Sequence, residues 1–162
     1  MMPQLSTLLS AFVFGVITSA PLGAQPTTRV SPPSLPPTGG RYTHIVTAEL
    51  PAGSRLVLIA GQVGADSTGR VVSAVAADQM RRAYDNLERA LREAGATWGD
   101  VLKTTTFLTR AVDIAALRDV RAARFGGRDA PAKTLLVVQA LYDPAVLFEV
   151  EAMAVIRPRT AP

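Results

Sequence analysis

The chain has 162 residues, 48% of them hydrophobic and 19% charged, enough for one domain with a proper core and too few for two. A single histidine and no cysteine exclude disulfides, thiol nucleophiles and any cluster of His or Cys metal ligands. The formal charge of +4 leaves room for an anionic partner.

In chain order, residues 1–28 carry no Lys, Arg, Asp or Glu, and Leu8 to Ala20 is an apolar run. That run is too short for the roughly 20 residues that span a bilayer but suits the central region of a secretory signal. Pro21-Leu-Gly-Ala24 offers a small residue for cleavage before Gln25. Residues 1–24 are therefore expected to be a signal peptide, delivering a periplasmic or secreted protein that keeps no membrane segment. The chain is cytoplasmic if the leader is not a signal. Residues 25–40 hold five of the twelve prolines and read as an extended linker. The folded domain is expected over 41–157, with 158–162 as a short tail.

Tyr42–Leu50 and Arg55–Val63 read as two strands of a hairpin, joined through the Pro51–Ser54 turn. Ala76, Met80, Ala83, Tyr84, Leu87 and Leu91 recur at helical spacing, and Gly95 follows as a helix stop. Val101–Thr109 is rich in β-branched residues and predicts a strand. Asp113 is placed to cap a second helix carrying Ile114, Leu117 and Val120 and ending by Gly126-Gly127. Thr134–Leu141 and Leu147–Ile156 read as closing strands, parted by the Tyr142–Pro144 turn. The order ββαβαββ predicts an α+β domain with two helices on one face of a mixed sheet.

The last strand puts Phe148, Val150, Ala152, Ala154 and Ile156 on one face and Glu149, Glu151, Met153 and Val155 on the other. Carboxylates on such a face mark a solvated edge, a charge-paired subunit interface or a site that uses them. Arg118, Arg121, Arg124 and Arg128 form a stripe along and just beyond the second helix. Only Phe125 lies among them, which argues against base stacking and nucleic-acid binding and in favour of a solvated face or a mouth that draws in small carboxylates. No HExxH, P-loop or GxGxxG is present, and no GxSxG accompanies His44.

Several segments together resemble the Rid family, the reactive imine deaminases once labelled L-PSP endoribonucleases. They are Arg41-Tyr42-Thr-His44, Ile59-Ala-Gly-Gln-Val-Gly64, the helix end Tyr84 to Gly95, Asp100 to Leu108, Ala130-Pro-Ala-Lys-Thr134 and Phe148 to Val155. The resemblance implies a chorismate-mutase-like protomer assembled as a homotrimer, with a small anionic metabolite in each cleft between subunits. It also implies hydrolysis of an imine or enamine to a 2-oxo acid and ammonia, with no cofactor and no metal. In that family an arginine after the Pro-Ala pair clamps the substrate carboxylate, a glutamate on the last strand positions water and an early tyrosine lines the pocket.

Carried onto this chain, the tyrosine is Tyr42, the glutamate is Glu149 and the arginine position holds Lys133, with Gly61, Thr134, Leu135 and Arg118 as further substrate contacts. Ala60 stands where a serine is frequent. An ammonium is a point charge and lacks the planar fork with which guanidinium matches a carboxylate. The departures gather in the site, so a trimer that only binds a small ligand, or acts as a holdase-like surface, is an alternative to catalysis. RNA binding or endoribonuclease activity through the arginine stripe is a weaker one.

Overall fold

A computed structural model describes residues 27–126 and 130–158; the leader, Gly127, Arg128, Asp129 and residues 159–162 lie outside the described residues. The longest helix, α1 (Ala76–Glu93), forms where the apolar spacing places it, and Met80, Ala83, Tyr84, Leu87 and Leu91 are all buried on one stripe. Its end follows the glycine signal. Gly95 has φ +78° and donates to Arg92 O, while Ala96 donates to Leu91 O, a Schellman closure.

Four strands build the main sheet: β3 (Arg55–Val63), β4 (Val101–Leu108), β5 (Ala132–Val137) and β6 (Phe148–Ile156), in the order β3-β6-β4-β5. Only β4 and β5 run parallel; the other pairs are antiparallel, so the sheet is mixed. Both α1 and the second helix, α2 (Ile114–Phe125), contribute to one core with Phe148, Val150, Ala152 and Ala154 of β6. The expected α+β arrangement is the one observed. The buried amide of Gln79 ties α1 to the turn before β6, donating to Ser73 O and Ala145 O and accepting from Leu147 N.

The hairpin expected between Tyr42–Leu50 and Arg55–Val63 does not form. The Pro51 turn closes, with Ser54 N donating to Pro51 O, but β3 pairs with β6. A turn signal fixes where a chain reverses and not what the next strand pairs with. Here Val57 and Ile59 find register partners in Ala154 and Ala152 that face the same core. The preceding segment crosses to the β5 edge, where Thr43 bridges Ala132 and its hydroxyl donates to Ala130 O. Beyond it, β2 (Ile45–Thr47) pairs with β1 (Thr28–Val30), a strand that lies inside the Pro-rich stretch read as linker.

Two smaller expectations also change. Asp113 makes no cap bond to α2; its carboxylate is held by Arg110 at 2.7 and 3.1 Å. The strand expected over Thr134–Leu141 is shifted towards the N-terminus, to 132–137, because pairing with β4 ends at Leu108↔Val137.

The sheet face away from the helices exposes several large apolar side chains in the single chain. Leu58 is 67% and Leu56 57% exposed, and Leu136 and Met153 share this exposure. Val155 lies on that side by alternation and yet is buried.

Candidate functional site

A cavity of about 540 Å³ opens between α2, β5 and the segment leading to β2. Strand alternation turns Lys133 and Leu135 of β5 towards it, because their register partners on β4, Thr104 and Thr106, are buried on the helix side of the sheet. Arg118 and Arg121 enter from α2, and Arg41 and Tyr42 from the approach to β2. Four of the residues singled out in the sequence, Tyr42, Arg118, Lys133 and Leu135, thus meet around one space. Tyr42 also stands edge-on to His44, with ring centroids 5.2 Å apart, and His44 is tied by a 2.9 Å contact to Pro36 O.

The electrostatics are one-sided. Burial first, then the charges of Arg121, Arg41 and Arg118, lower the Lys133 ammonium from its ordinary value to about 8. Among the described lining residues there is no carboxylate. Such a lining attracts an anion and repels cations.

Arg121 and Arg41 are site residues that the sequence reading did not place here. The available signal was spacing: Arg121 lies four residues after Leu117 and so falls on the core-facing stripe of α2. It is 8% exposed, donates to Tyr84 Oη at 3.1 Å and to Arg41 O at 3.4 Å, and lies 5.3 Å from the Phe125 ring centre. Arg124 instead pairs with Asp85 and Glu88 of α1. The arginines of α2 therefore do not form one solvated track: Arg121 points inward, Arg124 is paired across to α1, and Arg118 is left at the cavity.

Glu149 and Gly61 form a second group. Lys133 faces the helix side of the sheet, whereas Glu149 pairs in register with Phe107 and faces the open side with Glu151. Within one chain the two groups thus do not share a pocket. A bulge in β3 between Ile59 and Gln62 sets Gly61 beneath Glu149, and a Cβ at Gly61 would collide with Glu149 Oε1. Burial, and secondarily the charge of Glu151, raise the Glu149 carboxyl above its usual range. Thr134 also lies on the open side, beside Lys103 and Met153. Among the described residues no three His, Cys, Asp or Glu gather as metal ligands would.

The family described as Endoribonuclease L-PSP matches residues 34–156 of this chain. The chain is 34% identical over 116 residues to a RutC family protein of Pyrococcus horikoshii, covering 71% of this chain and 86% of that protein. It is 30% identical over 132 residues to the 2-iminobutanoate/2-iminopropanoate deaminase of Rattus norvegicus, covering 81% and 91% respectively. Among solved structures, a protein of the conserved Rid family from Yersinia pestis superposes with a TM-score of 0.72 at 30% identity, over 80% of this chain and 98% of that one.

Proposed function

Since the chain belongs to the endoribonuclease L-PSP, or Rid, family, we propose that it hydrolyses a small 2-imino acid to a 2-oxo acid and ammonia. The cavity binds the substrate carboxylate through Lys133, Arg118 and Arg121, with Tyr42 against the substrate body. Glu149 orients a water and takes one of its protons as the oxygen adds to the imine carbon. The imine nitrogen is protonated, and collapse of the resulting carbinolamine breaks the C–N bond. Water supplies the oxygen of the product and the hydrogens that leave with nitrogen.

The observation that carries this reading is the convergence of Lys133, Arg41, Arg118 and Arg121 on one cavity without an acidic residue among the described lining. The opposite orientation of Glu149 asks for a second copy. A homotrimer would cover the apolar face around Leu56, Leu58, Leu136 and Met153 and bring the Glu149 of one protomer to the Lys133 cavity of the next. Export through residues 1–24 is part of the same proposal, and the mass of the mature protein reads it directly.

A second reading, a trimer that binds an anionic metabolite without turning it over, is favoured by Lys133 and Ala60 at positions where the family's deaminases carry other groups. The two readings separate in an assay in which serine is converted in situ to 2-iminopropanoate and its loss is followed. The deaminase reading expects acceleration that Glu149→Gln removes while ligand binding persists. No acceleration, with binding intact, leaves the binder.

A further inference from the structure

The chain has two lysines, Lys103 and Lys133. Strand alternation sets them on opposite faces of the sheet: Lys103 is exposed on the open face, whereas Lys133 is half-buried at the cationic cavity. Leu117, Phe125 and Leu135 supply the apolar part of that cavity, and Arg41, Arg118 and Arg121 the charged part. Among the described residues no carboxylate lies within ion-pair distance of Lys133.

An amine attacks carbon only in its unprotonated form, and a lysine gains that form in an apolar pocket or beside other cations. Lys133 has both. Burial and the three guanidinia bring its ammonium down to about 8, so on the order of a tenth of it is neutral at pH 7, against less than about one in a thousand for an ordinary lysine. The guanidinia keep their own protons, so an arginine in place of Lys133 could hold an anion but could not attack carbon. Arg118 is exposed at the cavity, and Arg121 is fixed in its wall by Tyr84 Oη and Arg41 O. These two can hold a carboxylate through charge-assisted hydrogen bonds. As an ammonium Lys133 joins them; as an amine it faces the carbon next to the carboxylate.

We propose that Lys133 is a nucleophile that forms a Schiff base with the carbonyl carbon of a small 2-oxo acid bound in the cavity. Nζ adds to the carbonyl carbon and a proton passes from nitrogen to the carbonyl oxygen, giving a carbinolamine. The C–O bond then breaks, the oxygen leaves as water and the C=N bond forms. Addition of water reverses each step, so the bond is transient and Lys133 is regenerated. This rests on the reading of the cavity as a site for 2-imino and 2-oxo acids, but not on turnover, which is measured separately.

Hydride reduction traps such a bond as a stable secondary amine. The full-length protein, incubated at pH 7 with 2-oxobutanoate and sodium cyanoborohydride, should gain one group derived from the oxo acid. Peptide mass spectrometry should find it on Lys133 in about tenfold or greater excess over Lys103 and the amino terminus, because only Lys133 has the ligand bound beside it. No adduct is expected when either reagent is left out, and acetone, a carbonyl without a carboxylate, should be captured about tenfold less. Lys103→Arg should leave the adduct in full, whereas Lys133→Arg should abolish it and still bind 2-oxobutanoate in a calorimetric titration. No adduct, or one shared evenly among the two lysines and the amino terminus, overturns the proposal. Capture at Lys133 by a protein that hydrolyses no imine would remove the deaminase reading and leave this one, and hydrolysis without capture would do the reverse.

Discussion

Arg121 Nη1 donates to Tyr84 Oη at 3.1 Å, which joins a fully buried residue of the core to the charged floor of the cavity. Tyr84 is wholly buried, and burial raises its phenol pKa, so the ring stays neutral and the oxygen is free to accept. Arg121 has no carboxylate partner among the described residues. A phenol, a backbone carbonyl and the Phe125 face hold the guanidinium while leaving its charge unspent.

Tyr84→Phe removes that acceptor and leaves a buried guanidinium one bond short. Stability should fall by about 1.5–3 kcal/mol, the scale of a hydrogen bond to a charged group. Urea unfolding checks it, and anion affinity should fall with it because Arg121 loses its fixed position. A variant as stable as the parent, with unchanged affinity, would show that the bond holds nothing in place.

Lys133 carries a pH signature. Its pKa in the folded chain is about 8 against an ordinary 10.5, so between those values the unfolded chain binds the extra proton. Its contribution to stability therefore rises with pH across about 8 to 10.5, and below 8 the penalty for holding the charge is complete. Lys133→Met should flatten this rise, seen as a narrowing stability gap between variant and parent as pH increases over that window. Anion affinity runs the other way, weakening above about pH 8 as the ammonium is lost. Lys133→Arg, which restores a planar fork, should bind a 2-oxo acid about tenfold more tightly and keep that affinity to higher pH.

Glu149 sets the acid side. Its carboxyl is raised by burial and then by Glu151, so it becomes competent as a base only above the ordinary carboxylate range. Glu149→Gln should cut imine hydrolysis by a factor on the order of 10²–10⁴. Glu151→Gln should leave the maximal rate near that of the parent while moving the acid limb of the pH–rate profile to lower pH. An unmoved limb would mean that Glu151 does not tune it.

Much of this arrangement was legible in the sequence because it rests on local rules. The α1 stripe, the Gly95 stop and the split of β6 into a core face and a carboxylate face follow from periodicity alone. What the sequence hid is long-range. The partner of β3 is β6, about ninety residues on, and the turn at Pro51 is silent about it. The strand Thr28–Val30 is held by β2 and by Arg29 Nη2 donating to Val101 O, contacts with no trace in its Pro-rich neighbourhood. Arg121 was visible as one of a charged stripe. Spacing puts it on the Leu117 side of α2, but an unpaired charge ordinarily stays in solvent, so only the fold shows the guanidinium turned inward onto Tyr84.

Gly61 is legible only through contact. A methyl there meets the end of Glu149, a flexible side chain that can swing aside, so Gly61→Ala should cost little stability. The displaced carboxylate would no longer aim at the water, and hydrolysis should fall nearly as far as in Glu149→Gln. Thermal unfolding and turnover measured on one preparation check both halves. A variant that stays active would show that Glu149 acts from another position.

In the proposed trimer Lys133 and Glu149, on opposite sheet faces of one chain, serve a single site built from two chains. Lys133→Ala and Glu149→Gln variants, each inactive alone, should be co-refolded in equal amounts and assayed for imine hydrolysis. If the site is shared, random assembly restores about a quarter of the parental activity, since that fraction of interfaces pairs an intact Lys133 with an intact Glu149. Mixed assemblies that form and remain inactive would contradict a site shared between chains.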